Sequence, residues 1–135
     1  MLTLSHKRRQ FLKASLMWAG LLLFWAVQPG WITNKILPKE YLHPFAHVIS
    51  YAIFAYLMSF YLRFGRRVAS YRMTDFKIFA LVIAACLMWG GATEWLQHYI
   101  PERVPDLLDV LWDSIGATAG SLCFTVRHRL RHRRK

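Results

Sequence analysis

Residues 76–126 read FKIFALVIAACLMWGGATEWLQHYIPERVPDLLDVLWDSIGATAGSLCFTV. Two apolar runs, Phe76–Leu96 and Leu107–Val126, flank a short polar turn with a proline at each end. As helices rising 1.5 Å per residue, each run spans about 30 Å, the thickness of a hydrocarbon core. Yet Glu94 closes the first run, and Asp109 and Asp113 open the second. Ionisable groups inside a membrane span are costly, so they face a bundle interior and mark a working site. The stretch predicts a membrane-spanning helical hairpin with a polar knot beside its turn.

Two further runs, Ala14–Trp31 and Phe45–Leu62, extend the pattern towards the N-terminus. The chain is 56% hydrophobic, above the 45–50% of a soluble domain, and the middle of each run offers no polar face. The expected fold is all-α: one integral membrane domain over residues 1–135, built as a four-helix bundle with spans at 14–31, 45–62, 76–96 and 107–126.

The net charge of +11 would suit a nucleic-acid binder, but its distribution does not. Of the eighteen Lys and Arg residues, fifteen fall before the first span, between the second and third or at the very start of the third, or in the tail 127–135. Only Lys35, Lys39 and Arg103 lie in the other two loops. This is the positive-inside pattern, and it predicts that both termini are cytoplasmic. The basic cytoplasmic tail is expected to rest on anionic headgroups, which makes membrane lipids the partners and leaves no role for nucleic acid.

The first run follows a basic start, as a signal peptide does. Gln28-Pro29-Gly30-Trp31 is not a small-residue cleavage site, so the run reads as a retained helix that packs and anchors. Pro38 and Pro44 predict an extended or turn-like loop after it. Cys86 and Cys123 fall at different depths, and both read as small apolar residues rather than a bridge.

Three spans deliver polar groups. His47 and Tyr51 are four apart and share a helix face, with His43 just ahead of that span. Glu94 is spaced to pair with Gln97 and His98. Gly90 and Gly91, just before it, would let a neighbouring helix come close. In the last span Asp106, Asp109, Asp113, Gly116 and Gly120 recur at spacings of three and four, so the acidic stripe continues into a close-packing G-x-x-x-G face. That face is compatible with a homo-oligomer. Counting from the span ends puts His47, Glu94, Gln97, Asp106 and Asp109 in the outer third of the bilayer, with Tyr51 and Asp113 one turn deeper. The polar cluster is therefore expected on the outer-leaflet side of spans two to four.

His47-x-x-x-Tyr51, Glu94-x-x-Gln97, Arg103, Asp109, Asp113, Gly116 and Gly120, in that order, resemble the pattern of VanZ-like membrane proteins over residues 42–121. Two positions depart from it. The family usually has Asp-Lys where this chain has His43-Pro44, and Asn where it has Asp113. The resemblance implies a small cell-envelope protein in the cytoplasmic membrane of a bacterium, in a family whose name-giving members are associated with resistance to the lipoglycopeptide teicoplanin.

Three functions fit the knot. In the first, an outward pocket binds an amphipathic ligand such as a lipid-linked cell-wall precursor or lipoglycopeptide. Arg103 would hold a phosphate or carboxylate on its planar fork, Glu94, Gln97 and Asp109 would orient the sugar or peptide portion, and Tyr51 and Asp113 would complete the ligand-binding set. In the second, Glu94 and Asp109 form an acid–base pair with His47 as shuttle and Arg103 stabilising developing negative charge, acting on an envelope lipid or peptidoglycan substrate. In the third, a Glu94–Arg103–Asp109 salt-bridge network only locks the hairpin, as a structural subunit would need. Zinc ligation by His47, His98, Glu94 and Asp109 is the weaker option, because no tight ligand motif is seen, and no metal or cofactor is expected. Ser50 and Thr93 lack the surroundings of a nucleophile. Trp89, Trp95 and Trp112 read as packing or interfacial aromatics.

Overall fold

A computed structural model describes residues 4–36, 42–64 and 74–133. Every element among them is a helix: α1 (Leu4–Ala26), α2 (Gly30–Ile36), α3 (Leu42–Phe64), α4 (Asp75–Gln97) and α5 (Leu107–Arg133). Local chemistry sets the boundaries. The Thr74 hydroxyl accepts from the Lys77 amide at 3.3 Å and caps α4, with Asp75 in its first turn against the positive end of the helix dipole. The Asp106 carboxylate does the same for α5, accepting from the Leu108 amide at 2.9 Å.

Two expectations fail between α1 and α3. The apolar run 14–31 is divided: α1 stops at Ala26 and Trp31 belongs to the short α2, which also carries Lys35. The Gly30 amide donates to the Pro101 carbonyl at 3.2 Å, which fastens the start of α2 to the turn between α4 and α5. A Cβ at Gly30 would overlap the Glu102 carbonyl, so only glycine permits this approach. Pro44 does not keep its segment extended either. It sits in the first turn of α3, where a missing N–H costs nothing. Pro38, Lys39 and Glu40 lie outside the described residues.

Three helices are long and apolar enough to cross a membrane: Leu42–Arg63, Asp75–Gln97 and Leu107–Arg131. α1 is not among them, because Lys7, Arg8, Arg9, Gln10 and Lys13 occupy its first turns. Its apolar part, residues 14–26, covers about 20 Å.

α3 is the hub. It packs against α1, α4 and most extensively α5; α4 touches α1 and α5; α1 and α5 do not meet. The core between them is Tyr51, Phe54, Ala55, Ile78, Val82, Cys86 and Ala117. Outward, Met17, Phe24, Phe45, Phe76, Met88 and Leu107 are exposed on the helix surfaces, as a lipid-facing exterior requires.

Consecutive long helices run in opposite directions. Near the start of α1, Phe11 stacks on Phe60 (4.5 Å between centroids) and the Arg8 guanidinium lies over the Tyr61 ring. At the same end Asp75 pairs with Arg63 at 3.1 Å and Arg129 at 3.2 Å, and Arg127 donates to the Tyr56 hydroxyl. Arg8, Arg63, Arg127 and Arg129 thus gather at one end of the molecule and the polar knot at the other. The basic stretch from 127 continues α5 as far as Arg133.

Gly116 and Gly120 bring α5 onto α3 within the same chain. A Cβ at Gly116 would overlap the Val48 carbonyl, and one at Gly120 the Ala52 carbonyl. This face is filled by α3 and is not open to a second copy. Of the pair in α4, only Gly90 is needed for packing. A Cβ there would lie 2.6 Å from Asp113 Oδ2 and 3.4 Å from the Tyr51 hydroxyl, whereas Gly91 faces open space.

Candidate functional site

The knot resolves into two groups with different jobs. The first ties α4 to α5. Glu94 Oε1 accepts from the Gln97 side-chain amide at 2.8 Å, and Oε2 accepts from the Asp106 backbone N–H at 3.0 Å. Both carboxylate oxygens are thus engaged, and Glu94 and Gln97 are buried. His98, expected beside them, is exposed at the end of α4 and takes no part.

The second group joins α3 to α5. One imidazole nitrogen of His47, Nδ1, lies 2.7 Å from Asp113 Oδ1, and the other, Nε2, lies 3.8 Å from Asp109 Oδ2. His43 Nδ1 lies 3.3 Å from Asp109 Oδ1, and its ring is tilted against that of His47 at 4.8 Å. The i,i+4 spacing puts His43, His47 and Tyr51 on the face of α3 that meets α5, held there by the close approach at Gly116 and Gly120. Asp113 is buried to 1% exposure, and the room for it comes from Gly90.

Arg103 does not form the expected salt bridges. Among the described residues it makes no ion pair with Glu94 or Asp109. Instead its Nε donates to the Gln28 carbonyl and its Nη2 to the Trp25 carbonyl, both at 3.2 Å. It thus supplies a donor to the Gln28 carbonyl just beyond α1 and a second donor to the Trp25 carbonyl, which also accepts from the Gln28 N–H at 3.3 Å. Partial burial pulls the guanidinium pKa down, while Glu94 and Asp109 act through space in the opposite direction.

Between these groups and α1 lies a cavity of about 260 Å³. One wall is apolar: Trp18, Leu21, Leu22, Trp25 and Ala26 of α1. The facing wall is polar, with His43, His47, Glu94, Gln97 and Arg103, and Tyr51, Ser50, Thr93 and Ala46 complete the lining. α1 is therefore more than an anchor. The Trp18 indole donates to the Ser50 carbonyl at 2.9 Å and holds the apolar wall against α3.

The family model described as VanZ/LLP1 matches residues 3–128. This chain belongs to the VanZ/LLP1 family. The match reaches beyond residues 42–121 to include α1, the helix that supplies the apolar wall, and stops at residue 128, just inside the basic end of α5. No curated protein and no solved structure matches the chain.

Within this VanZ/LLP1 chain, sequence reasoning placed His47, Asp109 and Asp113 together, and Glu94 with Gln97. It missed His43 as a member of the cluster, although His43-x-x-x-His47 is itself a pair one helical turn apart. It also missed the α1 wall, for which a uniformly apolar helix carries no sequence signal. The Thr93 hydroxyl donates to the Gly90 carbonyl at 2.8 Å, a back-bond inside α4 rather than a nucleophile's arrangement. Trp95 is exposed and meets Tyr99 edge-on, as an interfacial pair would.

Proposed function

We propose that this VanZ/LLP1 protein is a bacterial envelope protein whose cavity takes the head portion of an amphipathic ligand, a lipid-linked cell-wall precursor or the lipid-bearing part of a glycopeptide. The two-faced lining carries this reading. An apolar wall of tryptophan and leucine stands opposite imidazole, carboxylate, amide and guanidinium groups, the mix of apolar lining and few placed polar groups that ligand pockets use. At about 260 Å³ the space suits one head-sized moiety, with the chain of a lipid lying along the exposed apolar helix surfaces. Membership of the family favours a role in teicoplanin-type resistance.

Orientation follows from charge. The basic end belongs in the cytoplasm and the cavity under the outer headgroups. α1 serves as a fourth crossing, with its basic first turns snorkelling at the inner surface and its short apolar part shielded by α3 and α4. A green fluorescent protein fused after Lys135 is expected to fluoresce, and alkaline phosphatase inserted after Ile100 to be active. The opposite pair of results would invert the topology.

Ala46 lines the cavity without belonging to the polar knot. Filling the space with Ala46→Leu is expected to weaken binding of a fluorescent lipid-linked wall precursor in nanodiscs about tenfold, the equivalent of 1.4 kcal/mol and within the usual cost of overpacking. In a sensitive Gram-positive host, teicoplanin protection should fall while vancomycin susceptibility and membrane abundance stay constant. Undiminished binding in a well-expressed variant would refute the pocket. Catalysis is the second reading, favoured by His47 held at 2.7 Å by Asp113 with its other nitrogen turned towards Asp109. It requires a covalent change in an envelope lipid or wall precursor. Identical mass-spectrometric profiles of those hosts with and without the protein would remove it.

A further inference from the structure

Three distances in the α3–α5 cluster do not behave alike. His47 Nδ1 to Asp113 Oδ1, at 2.7 Å, has the length of a charge-assisted hydrogen bond. The two contacts to Asp109 are longer: 3.3 Å from His43 Nδ1 and 3.8 Å from His47 Nε2. The first is stretched for an ion pair and the second exceeds any hydrogen bond. They end on different oxygens of Asp109, Oδ1 and Oδ2, and each is near the separation of neighbouring ligands around a tetrahedral ion. Donors held about 2.0–2.2 Å from zinc lie roughly 3.3–3.6 Å from one another. The donor atoms of His43, His47 and Asp109 all fall within 4.8 Å of each other, so closing on an ion needs shifts of about an ångström.

From this geometry we infer a binding site for a divalent transition-metal ion of the zinc type, with His43, His47 and Asp109 as its three protein ligands. Two imidazoles one helical turn apart on α3 and one carboxylate from α5 form a borderline donor set that prefers zinc to magnesium or calcium. A second, independent feature supports it. A ligating histidine ordinarily gives its other ring N–H to a carboxylate, which fixes the tautomer and aims the free nitrogen at the metal. Asp113 stands in that position: almost wholly buried, bonded to His47 Nδ1, and leaving Nε2 turned towards Asp109. Three ligands leave a fourth position, and His43 and His47 both line the cavity. The ion would thus meet whatever enters, as a Lewis acid facing a phosphate, carboxylate or water. The site stands on its own donors and does not depend on which lipid the cavity accepts.

The test uses full-length protein purified with a tag free of histidine, in detergent, titrated with CoCl2 and then ZnCl2. Wild type is expected to bind one equivalent of Co²⁺ with the intense visible bands of a tetrahedral site, and Zn²⁺ should displace it. His43→Ala should abolish those bands. Asp113→Asn should keep them but weaken affinity about 10–100-fold, the usual effect of losing a partner behind a ligand. His98→Ala, which alters an exposed histidine, should match wild type, and circular dichroism should show each variant folded. The inference is overturned if wild type shows no stoichiometric tetrahedral spectrum, if His43→Ala binds as wild type does, or if His98→Ala loses binding equally.

Discussion

Gly120→Ala is expected to destabilise the protein by about 1–3 kcal/mol, the cost of overpacking a close contact, and Gly116→Ala by a similar amount. The added methyl at position 120 would overlap the Ala52 carbonyl oxygen and sit 2.8 Å from its carbonyl carbon. At position 116 it would lie 2.9 Å from both the carbonyl carbon and Cα of Val48. These neighbours are backbone, which cannot rotate away as a flexible side chain does. α5 must therefore lift from α3 along the most extensive helix contact in the molecule. Because the two glycines are one turn apart on a single crossing, their costs should not add in the double variant. Gly91→Ala is the control. Nothing lies within 4 Å of its added carbon, and the gain in helix propensity should leave stability unchanged or slightly higher. Thermal unfolding in detergent reads the series. If Gly120→Ala melts with Gly91→Ala, the close approach of α3 and α5 is not what holds the fold.

Lifting α5 has a second consequence. Asp113 lies on the same stripe, seven residues before Gly120, and its 2.7 Å contact with His47 depends on the spacing the glycines permit. Packing and site thus share one cause. That is why the stripe could be read from the sequence: a 3-4-3-4 spacing of acids and glycines has only one helical arrangement, with the acids facing protein. The partner of the stripe could not be read so easily. A G-x-x-x-G face looks the same whether it meets another helix of its own chain or a second copy, and only the Val48 and Ala52 contacts decide it.

The errors have physical reasons as well. Spacing along one helix fixes Glu94 with Gln97, a pair three residues apart, but says nothing of where the turn carries Arg103. Arg103 folds back towards Trp25 and Gln28, seventy-eight and seventy-five residues away in sequence, where carbonyls at and just beyond the end of α1 accept from it. His43 was read as a departure from a family pattern at the rim. By sequence Pro44 predicts an end to regular structure there, yet in the first turn it is tolerated, and α3 begins early enough to carry His43 onto the face of His47. The first apolar run measured long enough to span only because the helix end at Ala26 leaves no clear mark before Pro29.

Glu94→Ala should be the most damaging change at the knot, and its damage should be to the fold first. Both carboxylate oxygens are in use, one on the Gln97 amide and one on the Asp106 N–H, and Glu94 and Gln97 are buried. Leaving the buried Gln97 donor unsatisfied costs about 1–3 kcal/mol, while the N–H of the exposed Asp106 can turn to water, so the loss should lie in that range. The Asp106 bond also carries the start of α5, whose own cap is the side chain of that residue. Its loss would free the turn and, with it, the anchor of Arg103 on α1. Glu94→Gln separates geometry from charge. Its single amide oxygen can satisfy one of the two donors, while its NH2 group faces the other, so its cost should lie between wild type and alanine. His98→Ala, one turn on and exposed, should stay within about 0.5 kcal/mol. Folded yield and thermal unfolding of the three variants, measured on equal membrane fractions, give the order. If Glu94→Ala unfolds where wild type does, the hairpin is held by something other than this carboxylate, and Glu94 is then free to act on a ligand.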